Sequence, residues 1–384
     1  MRFNDQAGFP DLKRIRGSGL PQSAGTAFFR LRYAGEMMKS GGLKMSRKPD
    51  IFLSEFKVKN KAAKVLAALM ILAAMAGCQT TPAATPQPEE NAAAASYPLT
   101  FTDALDREIT LSQAPQRPAV LFSSYAELWQ LAGGDVAVTV GDSVKRGFVN
   151  AETPLVDDGA GLKIDAEQLI AQQPDFVIAS ADMGAQAELC GQLSGYGIPC
   201  AALKEESFAD YLSLLKLFTQ ITGNTEAYKT YGLNVQQEIE TLLAEVTQAR
   251  WGQEPVSVLF IRAGSGYSAT KAKTAKDHFV GGMLEELGAV NIADEAGALS
   301  EGLALESILL NQPDVILIVP QGNEEAARAY MDSLLQESGW RDLEAVKNGR
   351  CTYLSKDLFH YKPNARWAEA YRVLAGLLYP ESFS

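Results

Sequence analysis

From residue 98 onward, apolar residues follow two patterns that alternate along the chain. Short uninterrupted runs occur at Ala119–Phe122, Ala137–Val140, Phe176–Ala179, Cys200–Leu203, Val256–Ile261, Val315–Val319 and Thr352–Leu354. Such runs suit strands buried on both faces, as in parallel sheets. Between them, apolar residues recur at helical spacing. They predict helices at Ala126–Ala132, Ala187–Ser194, Phe208–Thr222, Thr225–Ala249, Asp277–Leu287, Glu324–Gln336 and Asn364–Leu378. Strand–helix alternation of this kind predicts doubly wound α/β layers.

The pattern also repeats. Glu167-Gln-Leu-Ile-Ala-Gln-Gln-Pro-Asp-Phe-Val-Ile178 matches Glu306-Ser-Ile-Leu-Leu-Asn-Gln-Pro-Asp-Val-Ile-Leu317. Each copy reads as a short amphipathic helix, a Gln-Pro-Asp turn and an apolar strand. Proline stops the helix, and aspartate supplies turn chemistry. Two copies so far apart predict two similar α/β lobes, at 98–222 and 253–384, rather than a solenoid. The long helical pattern at Thr225–Ala249 falls between the copies and predicts a helix joining the lobes, within a connecting segment 223–252.

The N-terminus follows different rules. A basic stretch, Lys57–Lys64, precedes the uncharged apolar run Val65–Ala76, which ends at Ala76-Gly77-Cys78. The run is too short for a membrane span, which needs ~20 residues, and has the size of a signal-peptide apolar region. It resembles the bacterial lipoprotein signal, which implies that Cys78 is lipidated and begins the mature chain. The other reading is an ordinary buried helix ending in glycine. Residues 1–77 are therefore set aside as a signal region. Met45 opens a signal of conventional layout, so 1–44 read as an over-extended start. Residues 78–97, rich in Pro, Ala, Thr and Gln, have too few large apolar residues for a core and read as a tether.

Charge sharpens the picture. The 384-residue chain has a formal net charge of −11. Residues 1–64 hold 14 Lys/Arg against 5 Asp/Glu, and residues 79–384 hold 21 against 41. An acidic body of that kind is a poor nucleic-acid binder, because phosphate contacts need cations. Two histidines exclude any site needing three, and four cysteines without a Cys-x-x-Cys pair exclude zinc fingers and iron–sulfur clusters of usual spacing. Cys190 and Cys200, ten residues apart, read either as a local bridge or, with Cys351, as buried thiols. The chain has no Walker A loop, no Gly-x-Ser-x-Gly and no His-Glu-x-x-His.

A lipoprotein signal, a tether, two α/β lobes and one connecting helix resemble the substrate-binding proteins of ABC importers, in the subgroup handling iron–siderophore, haem and cobalamin. Further matches are Thr102-Asp-Ala-Leu-Asp-Arg-Glu-Ile-Thr-Leu111, which opens such proteins as a short hairpin, and Ser123-Ser-Tyr-Ala-Glu-Leu-Trp-Gln-Leu-Ala-Gly-Gly134. Gly281-Gly-Met-Leu-Glu-Glu-Leu-Gly-Ala-Val-Asn-Ile-Ala293 and Phe359-His-Tyr-Lys-Pro-Asn-Ala-Arg-Trp-Ala-Glu-Ala-Tyr371 also match. The resemblance covers nearly all of 97–384 and rests on the order of these segments. It implies a ligand cleft between the lobes, a stiff hinge with modest lobe motion, and no catalytic residue or cofactor. It further implies an ABC permease and its ATPase as partners, a monomer on the extracytoplasmic face of the membrane, and docking through an acidic residue on each lobe. Glu188 on the first lobe and Glu301 or Glu306 on the second are the candidates; they equally suit a solvated acidic face.

In open α/β sheets, ligands bind beyond the C-terminal ends of strands. Four loops qualify. Ser123, Ser124 and Tyr125 open a helix, where hydroxyls and free N–H groups suit an oxygen ligand or simply cap the helix. Lys145 and Arg146 lie in Gly141–Phe148, which otherwise reads as a solvated loop. Arg262 ends a strand and leads to Tyr267, Lys271, Lys273 and Lys276; its glycines allow close backbone approach, and its cations suit carboxylates or phosphates. His360, Tyr361, Lys362, Arg366 and Trp367 precede the last helix. Arg366 would lie in the first turn, where the helix dipole disfavours a cation, and that hints at an anion or an ion pair. The aromatics suit a macrocycle or catecholate, or a packed domain edge. His278, at a helix start, reads as a core or capping residue. The expected ligand is an anionic metal chelate, a siderophore ahead of haem and cobalamin, with no metal held directly by the protein. The competing readings are a chelatase-like enzyme and a surface scavenger or adhesin without a transporter.

Overall fold

The computed structural model describes residues 95–159, 163–295 and 303–383. The signal region, Cys78, the tether as far as residue 94 and Glu301 lie outside the described residues. The last tether residue, Tyr97, belongs to the folded body: its ring packs on the core and its hydroxyl donates to the Ile221 carbonyl.

An antiparallel hairpin, β1 (Leu99–Thr102) and β2 (Glu108–Leu111), opens the fold. Its turn is tied down by Asp103. That buried carboxylate accepts from the backbone N–H groups of Leu105, Arg107 and Ala202, and pairs with the Arg107 guanidinium at 2.5 Å. Burial alone would raise its pKa; the arginine and the three N–H donors outweigh that and hold it below the ordinary carboxylate range.

The first lobe is a four-stranded parallel sheet of β3 (Pro118–Val120), β4 (Val138–Thr139), β5 (Phe176–Ser180) and β6 (Cys200–Leu203), in the order β4-β3-β5-β6. The second contains β7 (Ser257–Ala263), β8 (Lys271–Ala272), β9 (Val290–Asn291), β10 (Val315–Pro320) and β11 (Cys351–Tyr353). Here β9, β7, β10 and β11 are parallel neighbours in that order, and β8 is antiparallel to the C-terminal end of β7. The two lobes thus share one strand order, β8 being an addition to the second. The repeated Gln-Pro-Asp does the same work in each. Gln173 and Gln312 take left-handed φ values of 51° and 40°, the tight reversal that ends each helix. Asp175 then accepts from the Gln116 and Arg117 N–H groups just before β3, and Asp314 accepts from the Ser257 N–H that begins β7.

Thr225–Tyr228, Lys229–Leu233 and Asn234–Ala249 form one helical passage between the lobes, over the span the periodicity predicts. Its second segment is a π turn. Gly232 lies there, and a Cβ at that position would come within 3.2 Å of Leu212, Leu215 and Tyr228. The wider turn and the missing side chain let the passage close on the Phe208–Thr222 helix.

Side chains alternate across each sheet. Val120, Phe176 and Ile178 of the first lobe, and Val258, Phe260, Val315 and Leu317 of the second, face one continuous core that also takes in Val235, Ile239, Leu242 and Val246 of the passage. Ala119, Leu121, Val177 and Ala179 face a separate core on the outer side of the first lobe, and Leu259, Ile261, Ile316 and Ile318 its counterpart in the second. The lobes therefore share an apolar core behind the cleft. Close-packed interiors resist deformation, so this core opposes wide separation.

Cys190 and Cys200 form a disulfide that ties the Gly184–Ser194 helix to β6, and Cys351 is a free, half-buried thiol. Gly141–Lys145, expected as a loop, is a short helix, and Lys356–Phe359 is another. Neither is long enough to show a period of 3.6. Among the described residues, no helix is long and apolar enough to cross a membrane.

Candidate functional site

The C-terminal ends of both parallel sheets face one cleft. It has three chambers, of about 830, 560 and 640 Å³, each lined from both lobes. Lys362 lines all three. The 830 Å³ chamber is strongly charged, with Glu127, Asp142, Lys145 and Arg146 facing Glu324, Arg328, Lys356 and Asp357. The 560 Å³ chamber is more apolar, with Leu121, Phe122, Val140 and Met183 opposite Arg262, His360 and Tyr361. The 640 Å³ chamber runs from Phe122, Asp182 and Glu206 to Arg262, Lys276, His278 and Phe279.

Arg146, Asn364 and Lys362 each make a polar or cation–π contact between the lobes. Arg146 donates to the Ser123 and Ser124 hydroxyls at 3.0 and 3.1 Å and stacks on the Tyr361 ring, 4.0 Å from its centroid. Ser123 in turn donates to Asp142 at 2.6 Å. Asn364 donates to the Ser124 carbonyl at 2.9 Å and to the Glu127 carboxylate at 2.7 Å. Lys362 donates to the main-chain carbonyl of Glu205.

Burial shapes the charges. Arg262 rises from the end of β7 with its Nε buried and without a hydrogen-bond partner, and among the described ion pairs it has none. Desolvation lowers its pKa. His360 is pushed down to about 4 by burial, helped by Arg262 and Lys356. Burial, then Arg262 and Lys362, hold His278 well below its ordinary value, and its Nδ1 accepts from the Val280 N–H as a helix cap. Both histidines are thus neutral at pH 7. Burial raises Glu127, against the pull of Asn364 and Arg146. The cleft offers hydrogen-bond donors and cations, aromatic faces and neutral imidazoles. Among the described residues no cluster of three His, Cys, Asp or Glu fits a metal ion.

The chain matches the periplasmic binding protein family over residues 119–358. It belongs to that family. An uncharacterized ABC transporter substrate-binding lipoprotein of Bacillus subtilis is 24% identical over 84% of this chain and 99% of its own length. A cobalamin-binding protein of Halobacterium salinarum is 25% identical over 65% of this chain and 68% of its own length. The structure of a siderophore-binding protein, bound to ferric iron and two molecules of acinetobactin, superposes with a TM-score of 0.58 at 15% identity, covering 75% of this chain and 99% of that one. Two α/β lobes joined by a helical passage, with a cleft between them, are the architecture that this periplasmic binding protein shares with its structural neighbours.

Of the residues singled out from sequence, Ser123, Lys145, Arg146, Arg262, His360, Tyr361, Lys362 and Arg366 line the cleft. Ser124 is buried just behind it, held by Arg146. The expectation for Tyr125 and Trp367 is corrected: both are core residues. Tyr125 packs on Phe122 and donates to the Leu203 carbonyl at 3.0 Å, and Trp367 packs between Phe208 and Phe279. Tyr267 and Lys271 lie apart from these chambers. They are exposed on the excursion that carries β8 and are absent from the lining of all three chambers, because β8 turns back along β7. Arg366 is paired with Glu369 at 2.6 Å, which answers its placement at a helix start. Glu188 and Glu306 are exposed, one on each lobe. Phe122, Met183, Glu206, Gln321 and Lys356 also line the cleft, unforeseen. Each follows the end of a parallel strand, so the strand-end rule applied to every strand would have found them.

Proposed function

We propose that the chain is the substrate-binding component of an ABC importer, and that its interlobe cleft captures an anionic metal chelate for delivery to the permease and ATPase. Arg262 carries the reading. A half-buried guanidinium whose Nε is buried, unpartnered and without a counter-ion is unfavourable unless an anion joins it, and a bidentate carboxylate or catecholate edge suits a guanidinium fork. Lys362, Lys356 and Arg146 add positive charge around the same space. Phe122, Phe279 and Tyr361 offer apolar faces for the organic part. Chambers of several hundred Å³ match the usual range of ligand sites, ~300–1,000 Å³. A ferric siderophore fits this donor set first, with haem and cobalamin behind it. The protein binds and releases its ligand with no chemical step. Cys78 anchors it by lipid to the extracytoplasmic membrane face as a monomer, and Glu188 with Glu301 or Glu306 meets the permease.

The test is the melting temperature of the chain with and without ferric siderophores, haemin and cyanocobalamin. A ligand that binds only the folded state raises the midpoint by mass action. A rise of several degrees with one class, lost in Arg262→Ala, supports the reading. No shift with any of them would overturn the metal-chelate assignment.

A further inference from the structure

Glu205 is the one fully buried carboxyl whose oxygens are both without a hydrogen-bond partner among the described residues. It follows β6 in the first lobe, and Lys362 and Trp367 of the second lobe meet it. Lys362, from the loop after β11, reaches across the lobe junction to the main-chain carbonyl of this same residue. Lys362 is also the residue that lines every chamber of the cleft. One ammonium therefore stands between an unsatisfied buried acid and the space where a ligand would sit.

The groups that face Glu205 act on its charge in both directions. Asp210 comes from the Phe208–Thr222 helix and Glu127 from the Ser123–Leu131 helix, against the single cation Lys362. The phenols of Tyr125 and Tyr211 come from those same two helices, and the Trp367 indole from the last helix. Burial is the main cause, and the two carboxylates add to it; together they push the Glu205 carboxyl up to about 8, with Lys362 and the nearby Trp367 indole pulling the other way. At neutral pH it keeps its proton.

We propose that Glu205 is a proton-linked positioning residue for the cleft: while protonated its side chain does not compete with an anionic ligand for the Lys362 ammonium, and once ionised it claims Lys362 and weakens binding. The proposal rests on the anionic-ligand reading above. Its sign follows from linkage. The ligand favours the protonated form, so affinity is flat below the Glu205 pKa and falls as pH rises through it, by about tenfold one unit above. His278 and His360 are neutral throughout this range and do not produce the fall.

Two arms test it on the full chain in detergent. The first needs no ligand. The folded state holds a proton that the unfolded chain releases above the ordinary glutamate range, so wild-type stability falls between about pH 5 and 8. Glu205→Gln escapes this and should melt at least ~5 °C above wild type at pH 8, with no such gap at pH 4.5. The second arm measures the Kd of a ferric tris-catecholate from pH 6.5 to 9.5 by fluorescence quenching. Wild type should weaken about tenfold by pH 9, Glu205→Gln should stay flat, and Lys362→Met should be weak and flat. Equal melting profiles for wild type and Glu205→Gln overturn the buried proton. Tight binding with the same pH profile in both overturns the linkage alone. A difference in melting without binding of the catecholate at any pH overturns the anionic-ligand reading, and the linkage with it.

Discussion

Replacing Arg262 by methionine should move stability and binding in opposite directions. Arg262 sits in β7, paired in register with Val319 of β10 and Lys271 of β8, so the backbone around it is fixed by the sheet. Its side chain leaves the sheet edge for the cleft with a buried, unpartnered Nε and no carboxylate in ion-pair range among the described residues. Full burial of an unpaired charge would cost several kcal/mol. Arg262 is only half-buried, and solvent screens what is exposed, which leaves about 1–2 kcal/mol of strain in the ligand-free protein. Methionine of similar length removes it, and the melting temperature should rise by roughly 2–5 °C. The same change removes charge-assisted hydrogen bonds to the ligand, each worth ~1.5–3 kcal/mol, so affinity should fall about ten- to a hundredfold. Melting curves and binding isotherms on one preparation read both numbers. A variant that melts lower than wild type and binds as tightly would refute the reasoning, because Arg262 would then be a structural residue with a partner of its own.

Other substitutions test the frame that holds the cleft. Asp103→Ala strands three backbone N–H groups and Arg107, and should cost about 2–4 kcal/mol in urea unfolding at pH 7. Because the Asp103 pKa is depressed, wild type holds this stabilisation above the carboxylate range and loses it as pH falls, so the gap to the variant should narrow in acid. Gly134→Ala places a Cβ 2.1 Å from the Trp129 indole, whose N–H donates to the Asp135 carbonyl, and should lower the melting temperature by several degrees. Reduction of the Cys190–Cys200 bridge opens a short loop and should cost about 2–3 kcal/mol, seen as a lower midpoint in dithiothreitol that Cys190→Ser reproduces.

The α/β lobes were legible because their strands are buried on both faces and their helices show a clean period. The repeat at Gln173 and Gln312 announced equivalent reversals, and the structure gives each the same backbone and the same aspartate contact. Arg262 and Lys362 were legible as cations after strands. Tyr125 and Trp367 were misread because an aromatic beside a strand end looks alike whether it faces ligand or core; only packing from Leu203, Phe208 and Phe279 decides. Glu205 was invisible for the opposite reason. In Leu203-Lys204-Glu205-Glu206-Ser207 it reads as part of a solvated charge run, and it becomes a buried acid in the fold, where Lys362 and Trp367 of the second lobe meet it. Such contacts join segments some 157 positions apart, which no local pattern encodes.

The central claim is that an anionic chelate occupies the cleft against Arg262 and Lys362, and a crystal structure with a bound ferric siderophore tests it most directly. The account predicts the chelate between the lobes, with its anionic oxygens within hydrogen-bond distance of the Arg262 guanidinium and the Lys362 ammonium. A chelate bound elsewhere, or bound in the cleft with both cations turned away from it, would contradict the account.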